Sequence, residues 1–192
     1  MKGFRKKFKG KVPTSRTQVK HIETVLRAAT GTEWAEGLKW YSQANEWAAS
    51  IGDTVSVAHA CAILSSQCDW ETNKLNTELV ASLGPKVTIF ASRKQKQEAH
   101  EALKGRFRIP PSRLKTYAFA SLIANPYSDR LVIDRHAIQI AYGIIDAAGI
   151  NITKKRYHET SGAYQRVAEK LNLQPSQVQA ITWIAYKRIV NR

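Results

Sequence analysis

Cysteine is scarce in this chain of 192 residues, which carries only Cys61 and Cys68. If one helix runs between them, a rise of about 1.5 Å per residue parts them by roughly 10 Å, beyond disulfide reach. Two thiols also fall short of the four ligands of an iron–sulfur cluster or a cysteine-only zinc site, and the five histidines form no H-x-x-x-H pair. The expectation is a chain that binds no metal and needs no cofactor. Long apolar runs are missing as well. Nothing approaches the roughly 18 uninterrupted apolar residues of a membrane span, and the basic N-terminus is not followed by the apolar core of a signal peptide. A cytoplasmic protein, neither secreted nor membrane-bound, is expected.

Acidic residues are few: 15 Asp and Glu stand against 30 Lys and Arg, a formal charge of +15. Those that occur, such as Asp53, Asp69, Asp129, Asp134 and Asp146, are scattered and lack the close grouping that two-metal phosphoryl chemistry requires. Glycine-rich phosphate cradles and a nucleophile elbow are also missing, which removes nucleotide hydrolysis and acyl transfer. The basic excess, with a pI near 10.0, points instead to a polyanionic partner.

What is present is enough to build a core. The chain is 43% hydrophobic with five tryptophans, which excludes disorder throughout. Residues 1–16 form a basic arm, with Lys2, Arg5, Lys6, Lys7, Lys9, Lys11 and Arg16 and no acid. Such a block is expected to be flexible until it meets phosphate. From 17 onward apolar residues recur three or four apart, so the expected fold is all-α. A first helix carries Val19, Ile22, Val25 and Leu26. Thr32 opens a second that ends near Gly52, and a third from Thr54 presents Val57, Ala60, Cys61 and Leu64 as a central buried helix.

Asp69 caps a helix that ends at Gly84, and the spacing predicts another over 87–105. Pro110 and Pro111 then interrupt the chain, and Ser112 opens the next helix. Asp134 caps a helix over 136–149, and two more begin near Thr153 and Ser176. Trp34, Trp40, Trp47 and Trp183 read as core residues, whereas Trp70 and Tyr117 are better placed to line a cleft. No internal repeat appears.

Two short segments stand out: Ala62-Ile63-Leu64-Ser65-Ser66-Gln67, continuing into Asn73-Lys74, and Leu131-Val132-Ile133-Asp134-Arg135-His136. The first resembles the "LLSAQ" helix end, and the second the "V-D-x-H" segment, of helix-hairpin-helix (HhH-GPD) DNA glycosylases of the endonuclease-three branch. Between them, Lys115-Thr116-Tyr117-Ala118 through Asn125-Pro126 is similar to the family's "K-T-A" helix. The resemblance spans Val57 to Tyr142, somewhat under half of the chain. It departs at the hairpin. Where the family has "L-P-G-x-G-x-K", this sequence reads Ile109-Pro110-Pro111-Ser112-Arg113-Leu114-Lys115, without either glycine. Pro111 has no N–H to offer phosphate, though the Arg113 side chain could replace the lost backbone dipoles. The four-cysteine cluster of some relatives is also absent.

The resemblance implies a two-lobed helical glycosylase-like fold, with one lobe over about 54–130 and the other from 17–53 plus 131–192. It implies a monomeric DNA-binding enzyme, without an iron–sulfur cluster, that cleaves the N-glycosidic bond of a damaged or modified base. Asp134 would stabilise the positive charge that builds on the sugar, and it equally reads as a plain helix cap. Lys115 matches the position of the Schiff-base lysine of lyase-competent members, and it equally reads as an exposed lysine near DNA.

Gln67 falls where the family fills the vacated base stack, or else it is a helix-end residue in water. Ser66 helps to close that helix end, and His136 is read as a buried structural histidine. Lys94, Lys96, Lys104, Arg106, Arg108, Ser112 and Arg113, with Arg135 beside Asp134, compose a DNA-contacting set. The rival reading is a non-catalytic nucleic-acid-binding protein on the same scaffold. RNA stands beside DNA as a ligand, because a charge of this kind is sequence-blind. The small size and basic arm also suit a bacteriophage gene acting in a bacterial host.

Overall fold

The computed structural model describes residues 4–8 and 10–190. Met1 to Gly3 and Lys9 of the expected basic arm, like the last two residues, lie outside the described residues. Among the described residues, nine helices and two three-residue strands make a mostly helical fold. The helices are α1 (Ser15–Ala28), α2 (Gly31–Ile51), α3 (Thr54–Leu64), α4 (Trp70–Leu83), α5 (Arg93–Leu103), α6 (Leu114–Ala124), α7 (Arg135–Tyr142), α8 (Lys154–Leu171) and α9 (Pro175–Val190). The strands are β1 (Arg5–Lys7) and β2 (Ile144–Asp146). No single helix among the described residues is long and apolar enough to cross a membrane.

The chain divides into two compact units. One comprises Met1–Trp40 with Asp129–Arg192, and the other comprises Tyr41–Ser128. The first division falls inside α2 instead of at the expected 53/54 break, where Gly52 and the Asp53 cap separate two helices without separating units.

In the first unit, α1 turns Val19, Ile22, Val25 and Leu26 inward against α7, α8 and α9. Its cap is Thr14, whose Oγ1 accepts the Thr17 N–H at 3.3 Å. The cap of α2 is Thr30, not Thr32. The Thr30 N–H donates to Glu33 Oε2 at 2.8 Å while Thr30 Oγ1 accepts the Glu33 N–H at 3.3 Å, a reciprocal capping box. Along α2, a Cβ on Gly37 would stand 2.7 Å from Ile181 Cα, so only glycine permits this approach to α9. Tyr142, Tyr164 and Tyr186 are fully buried with Ile22, Ile133, Ile138, Ile140 and Ile144.

Two expectations change here. The helix expected over 136–149 stops at Tyr142, because Gly143 takes φ +62 and the following residues form β2. The arm expected to be flexible over 1–16 is ordered where it is described. β1 pairs in parallel with β2, Arg5 opposite Ile144 and Lys7 opposite Asp146. The reason lies in two aromatics that a count of charge overlooks. The Phe4 ring packs against His21 at 5.6 Å and Tyr186 at 6.4 Å, and Phe8 packs against Tyr142 at 5.8 Å. The side chains of β1 itself remain exposed, so the cations stay in water.

In the second unit, α3 is buried all round from Ser56 to Leu64 and is flanked by α4, α5 and α6. Asp53 opens α3 by accepting the Ser56 N–H at 2.9 Å, and Asp69 opens α4 by accepting the Thr72 N–H at 2.8 Å. The helix expected from 87 starts at Arg93, where Ser92 and Gln95 form a capping box. Val87, Thr88 and Ile89 are β-branched and stay outside it, with Val87 and Ile89 packed on the core cluster around Ile63, Leu64, Val80 and Ile109. Asn45 Nδ2 donates to the carbonyls of Ile123 at 2.8 Å and Ala124 at 3.1 Å, closing the end of α6.

Candidate functional site

The residues singled out from the sequence fall in both units. In the second unit, α5 closes when the Arg106 N–H returns to the Glu101 carbonyl at 2.8 Å, and a ten-residue connection leads to α6. The connection is pinned at its middle. Ile109 is buried, and its N–H donates to His59 Nδ1 of α3 at 3.0 Å. A tight turn follows, with the Arg113 N–H on the Pro110 carbonyl at 3.0 Å. α6 opens at Leu114, with Arg113 at its cap position making no side-chain cap bond, so Ser112 does not open the helix as expected.

The cations of this connection are unequally free. Arg113 holds Glu98 in a bidentate pair, Nη1 to Oε2 at 2.7 Å and Nη2 to Oε1 at 2.9 Å, and this pairing keeps the Glu98 carboxyl below its ordinary range. Arg108 Nη1 and Nη2 both donate to Ser56 Oγ at 3.3 Å, and Nη2 lies 3.9 Å from Asp53 Oδ2. Lys96 Nζ donates to the Val87 carbonyl at 2.9 Å, and Arg106 sits 4.0 Å from Glu101. Lys104 and Ser112 are exposed. The expected phosphate track is therefore partly committed within the protein, Arg113 most of all.

At the far end of α3, Ser65 Oγ donates to the Ala62 carbonyl at 2.9 Å, and Ser66 and Gln67 project into solvent. Gln67 takes φ +60, a left-handed conformation that a residue with a Cβ seldom adopts. Cys68 follows. Its thiol is pushed up by burial and by Asp69, and the nearby charge of Lys115 opposes that shift. Lys115, exposed in the first turn of α6, is thus a neighbour of the Gln67–Cys68 bend. Trp70 does not stand apart in a cleft. Its ring meets Trp47 at 5.3 Å and Phe119 at 6.5 Å, edge to face, with Lys74 Nζ 5.7 Å from its centroid.

In the first unit, Asp134 caps α7, its Oδ1 accepting the Ala137 N–H at 2.9 Å. Its Oδ2 lies 3.6 Å from His136 Nδ1, and its side chain retains 20% of its exposure. His136 is not buried as expected. Its side chain is 41% exposed, because the ring lies along the outer side of Asp134 and edge-on to Tyr186 at 6.3 Å. Behind the carboxylate, Tyr157 donates its hydroxyl to the Leu131 carbonyl. Burial holds that hydroxyl up at about 12, with the Asp134 charge adding, and Tyr164 is raised for the same reasons. Both phenols stay protonated beside Asp134. Arg135 is exposed on the same turn.

Two residues that matter here were not singled out. His59 could have been noticed as a titratable side chain inside the most apolar helix, but the partner of Glu98 is decided by tertiary packing that no local pattern announces. Among the described residues, no three His, Cys, Asp or Glu side chains gather as a metal site. Cys61 and Cys68 are free thiols, and Asn73 Nδ2 donates to Cys61 Sγ at 3.1 Å.

No curated protein and no solved structure is matched by this sequence. A family of unknown function, DUF7178, is matched over residues 6–190, nearly the whole chain. The protein belongs to that family.

Proposed function

We propose that this protein is a DNA-binding base-excision enzyme that cleaves the N-glycosidic bond of a damaged or modified base. The observation that carries this reading is the setting of Asp134. One carboxylate oxygen is anchored by the Ala137 N–H, and the other is half-shielded beside His136. A carboxylate fixed in this way needs no reorganisation to stabilise an oxocarbenium-like sugar as the C1′–N bond breaks, the bond's electrons leaving with the base. Water then adds at C1′, its oxygen joining the sugar and its proton passing to the carboxylate. In a lyase version, the Lys115 amine attacks C1′ in place of water. Gln67, already bent out of the helix line, supports a part in filling the vacated stack.

A specific observation favours the second reading, a non-catalytic nucleic-acid-binding protein. Arg113 and Arg108, the cations best placed to replace the missing hairpin glycines, are bound to Glu98 and to Ser56. The two readings part in one assay. The purified chain is incubated with duplexes that carry uracil, oxidised, alkylated or hypermodified bases, and with abasic duplex under borohydride. The enzyme releases a base from at least one duplex, and Asp134→Asn abolishes release while duplex affinity persists. Absence of base release and of lyase trapping across the panel leaves the binding reading.

A further inference from the structure

Among the described residues β1 is an edge strand, paired with β2 along one side and with no third strand on the other. In a parallel pair every second residue bonds the partner strand, and Arg5 is one of these, its N–H on the Gly143 carbonyl at 2.9 Å. Lys6 therefore turns its own N–H and carbonyl away from β2. Among the described residues no other backbone or side-chain group bonds them. The far side of β2 is closed, since the Tyr186 hydroxyl donates to the Ile144 carbonyl at 2.9 Å. The open edge of β1 is held firmly, because the Phe4 and Phe8 rings at its two ends pack on the body of the unit.

The side chains decide what can lie along this edge. Arg5, Lys6 and Lys7 are all exposed, and among the described residues none of them is in an ion pair. The acid across from Lys7, Asp146, turns its Oδ1 to the Ala148 N–H at 2.7 Å. A second β1 would set three cations against three, so a further copy of the chain does not fit. Phosphate suits the cations but not the edge, because it offers acceptors alone and the Lys6 carbonyl needs a donor. An extended peptide brings donors and acceptors in alternation, and carboxylates along it answer the cations.

We infer that β1 is a docking edge for an extended acidic segment of a partner protein, which joins β1 and β2 as a third strand. The main chain of the segment bonds Lys6, and its Asp or Glu side chains meet the three cations. The inference rests on no part of the Asp134 chemistry, so failure here and failure of base excision are read separately.

The test uses the full chain and a fluorescein-labelled peptide of alternating Glu and Val, read by anisotropy. The same peptide N-methylated at every amide keeps its charge and loses its donors. It is expected to bind about tenfold more weakly, the order of two ordinary main-chain hydrogen bonds. Lys6→Gln removes one exposed charge and is expected to cost about threefold, whereas Lys20→Gln, exposed on α1, is expected to cost little. Lys6→Pro removes the outward N–H and is expected to lose the peptide while the Arg5 amide keeps its slow exchange. Amide exchange of the unaltered chain gives a readout that needs no variant. The Lys6 amide should exchange faster than that of Arg5 in the free protein and slow about tenfold under saturating peptide. Three results overturn the inference: no binding of the parent peptide at millimolar concentration, a Lys6 amide indifferent to bound peptide, or equal affinity for the N-methylated peptide. In the last case, displacement of both peptides by duplex DNA would assign the strand to phosphate.

Discussion

His59 Nδ1, inside the buried helix α3, is the hydrogen-bond acceptor for the backbone N–H of Ile109, the residue that starts the proline turn. A ring nitrogen that accepts cannot carry a proton, and burial holds His59 down at about 4, with the Arg108 charge adding, against an ordinary 6.5. The unfolded chain therefore binds a proton that the native chain refuses over that interval. Stability is complete above about pH 6.5 and falls as pH drops toward 4. His59→Asn keeps an acceptor oxygen and removes the titration, so its urea midpoint should lose less than the wild type on acidification. His59→Leu orphans the Ile109 amide and should cost about 1–3 kcal/mol at neutral pH. Identical pH profiles for wild type and His59→Asn would deny the histidine this role.

Glu98 restrains Arg113, and releasing the arginine should be informative. Its side chain is 39% exposed and that of Glu98 15%, so the pair contributes modestly, about 1 kcal/mol after solvent screening. Glu98→Gln should lower stability by that amount yet tighten duplex binding and steepen its dependence on salt, because a cation becomes available and an anion disappears. A titration in which affinity and salt slope both stay at wild-type values would show that Arg113 serves the fold and not phosphate.

Arg188 reaches across unit one to Glu33, Nε to Oε1 at 2.6 Å, and this bond more than any other holds the Glu33 carboxyl down to about 2. The sign follows from the ordinary value of 4.5. Native Glu33 stays charged while the unfolded carboxyl protonates, so the contribution is present above about pH 4.5 and disappears as pH falls toward 2. Glu33→Gln should cost roughly 1–2 kcal/mol at pH 7 and flatten the acid limb of the unfolding curve. A loss that persists undiminished at pH 2 would assign the effect to packing instead of charge.

Gly143 separates α7 from β2, and a Cβ there would meet the His21 ring at 2.5 Å in a left-handed backbone. Gly143→Ala should destabilise the first unit by about 2 kcal/mol or more, combining strain with displacement of a ring that also bonds the Ala141 carbonyl. Amide exchange of Arg5, whose N–H rests on the Gly143 carbonyl at 2.9 Å, should accelerate first. Unaltered protection of that amide would mean that the strand pair does not depend on the glycine.

The helices with side-chain caps and clean apolar spacing were legible because those signals are local. Asp69 and Asp134 each bond the amide three residues on, and α3 is buried as its run of Val57, Ala60, Cys61 and Leu64 implies. What escaped was non-local. β1 meets β2 across most of the chain, and Val87–Ile89 stays out of the helix while Val87 and Ile89, half-buried, pack against the core cluster that holds Ile109. The same distinction runs through the candidate site. The Asp134 cap could be read from its neighbours, but the engagement of Arg113 by Glu98 could not, since a charge tally counts cations without knowing which are already held.

The discontinuity of the first unit imposes an order on biosynthesis. Its two segments enclose the whole of Tyr41–Ser128, and β1 has no partner until Ile144–Asp146 has been translated. At elongation rates of about 5–20 residues per second, Phe4 and its neighbours wait for several seconds while the enclosed unit emerges in one uninterrupted stretch. The nascent chain therefore passes through a period in which its inner half can mature and its outer half cannot. A pause placed after Ser128 would prolong that period without obstructing the part already assembled.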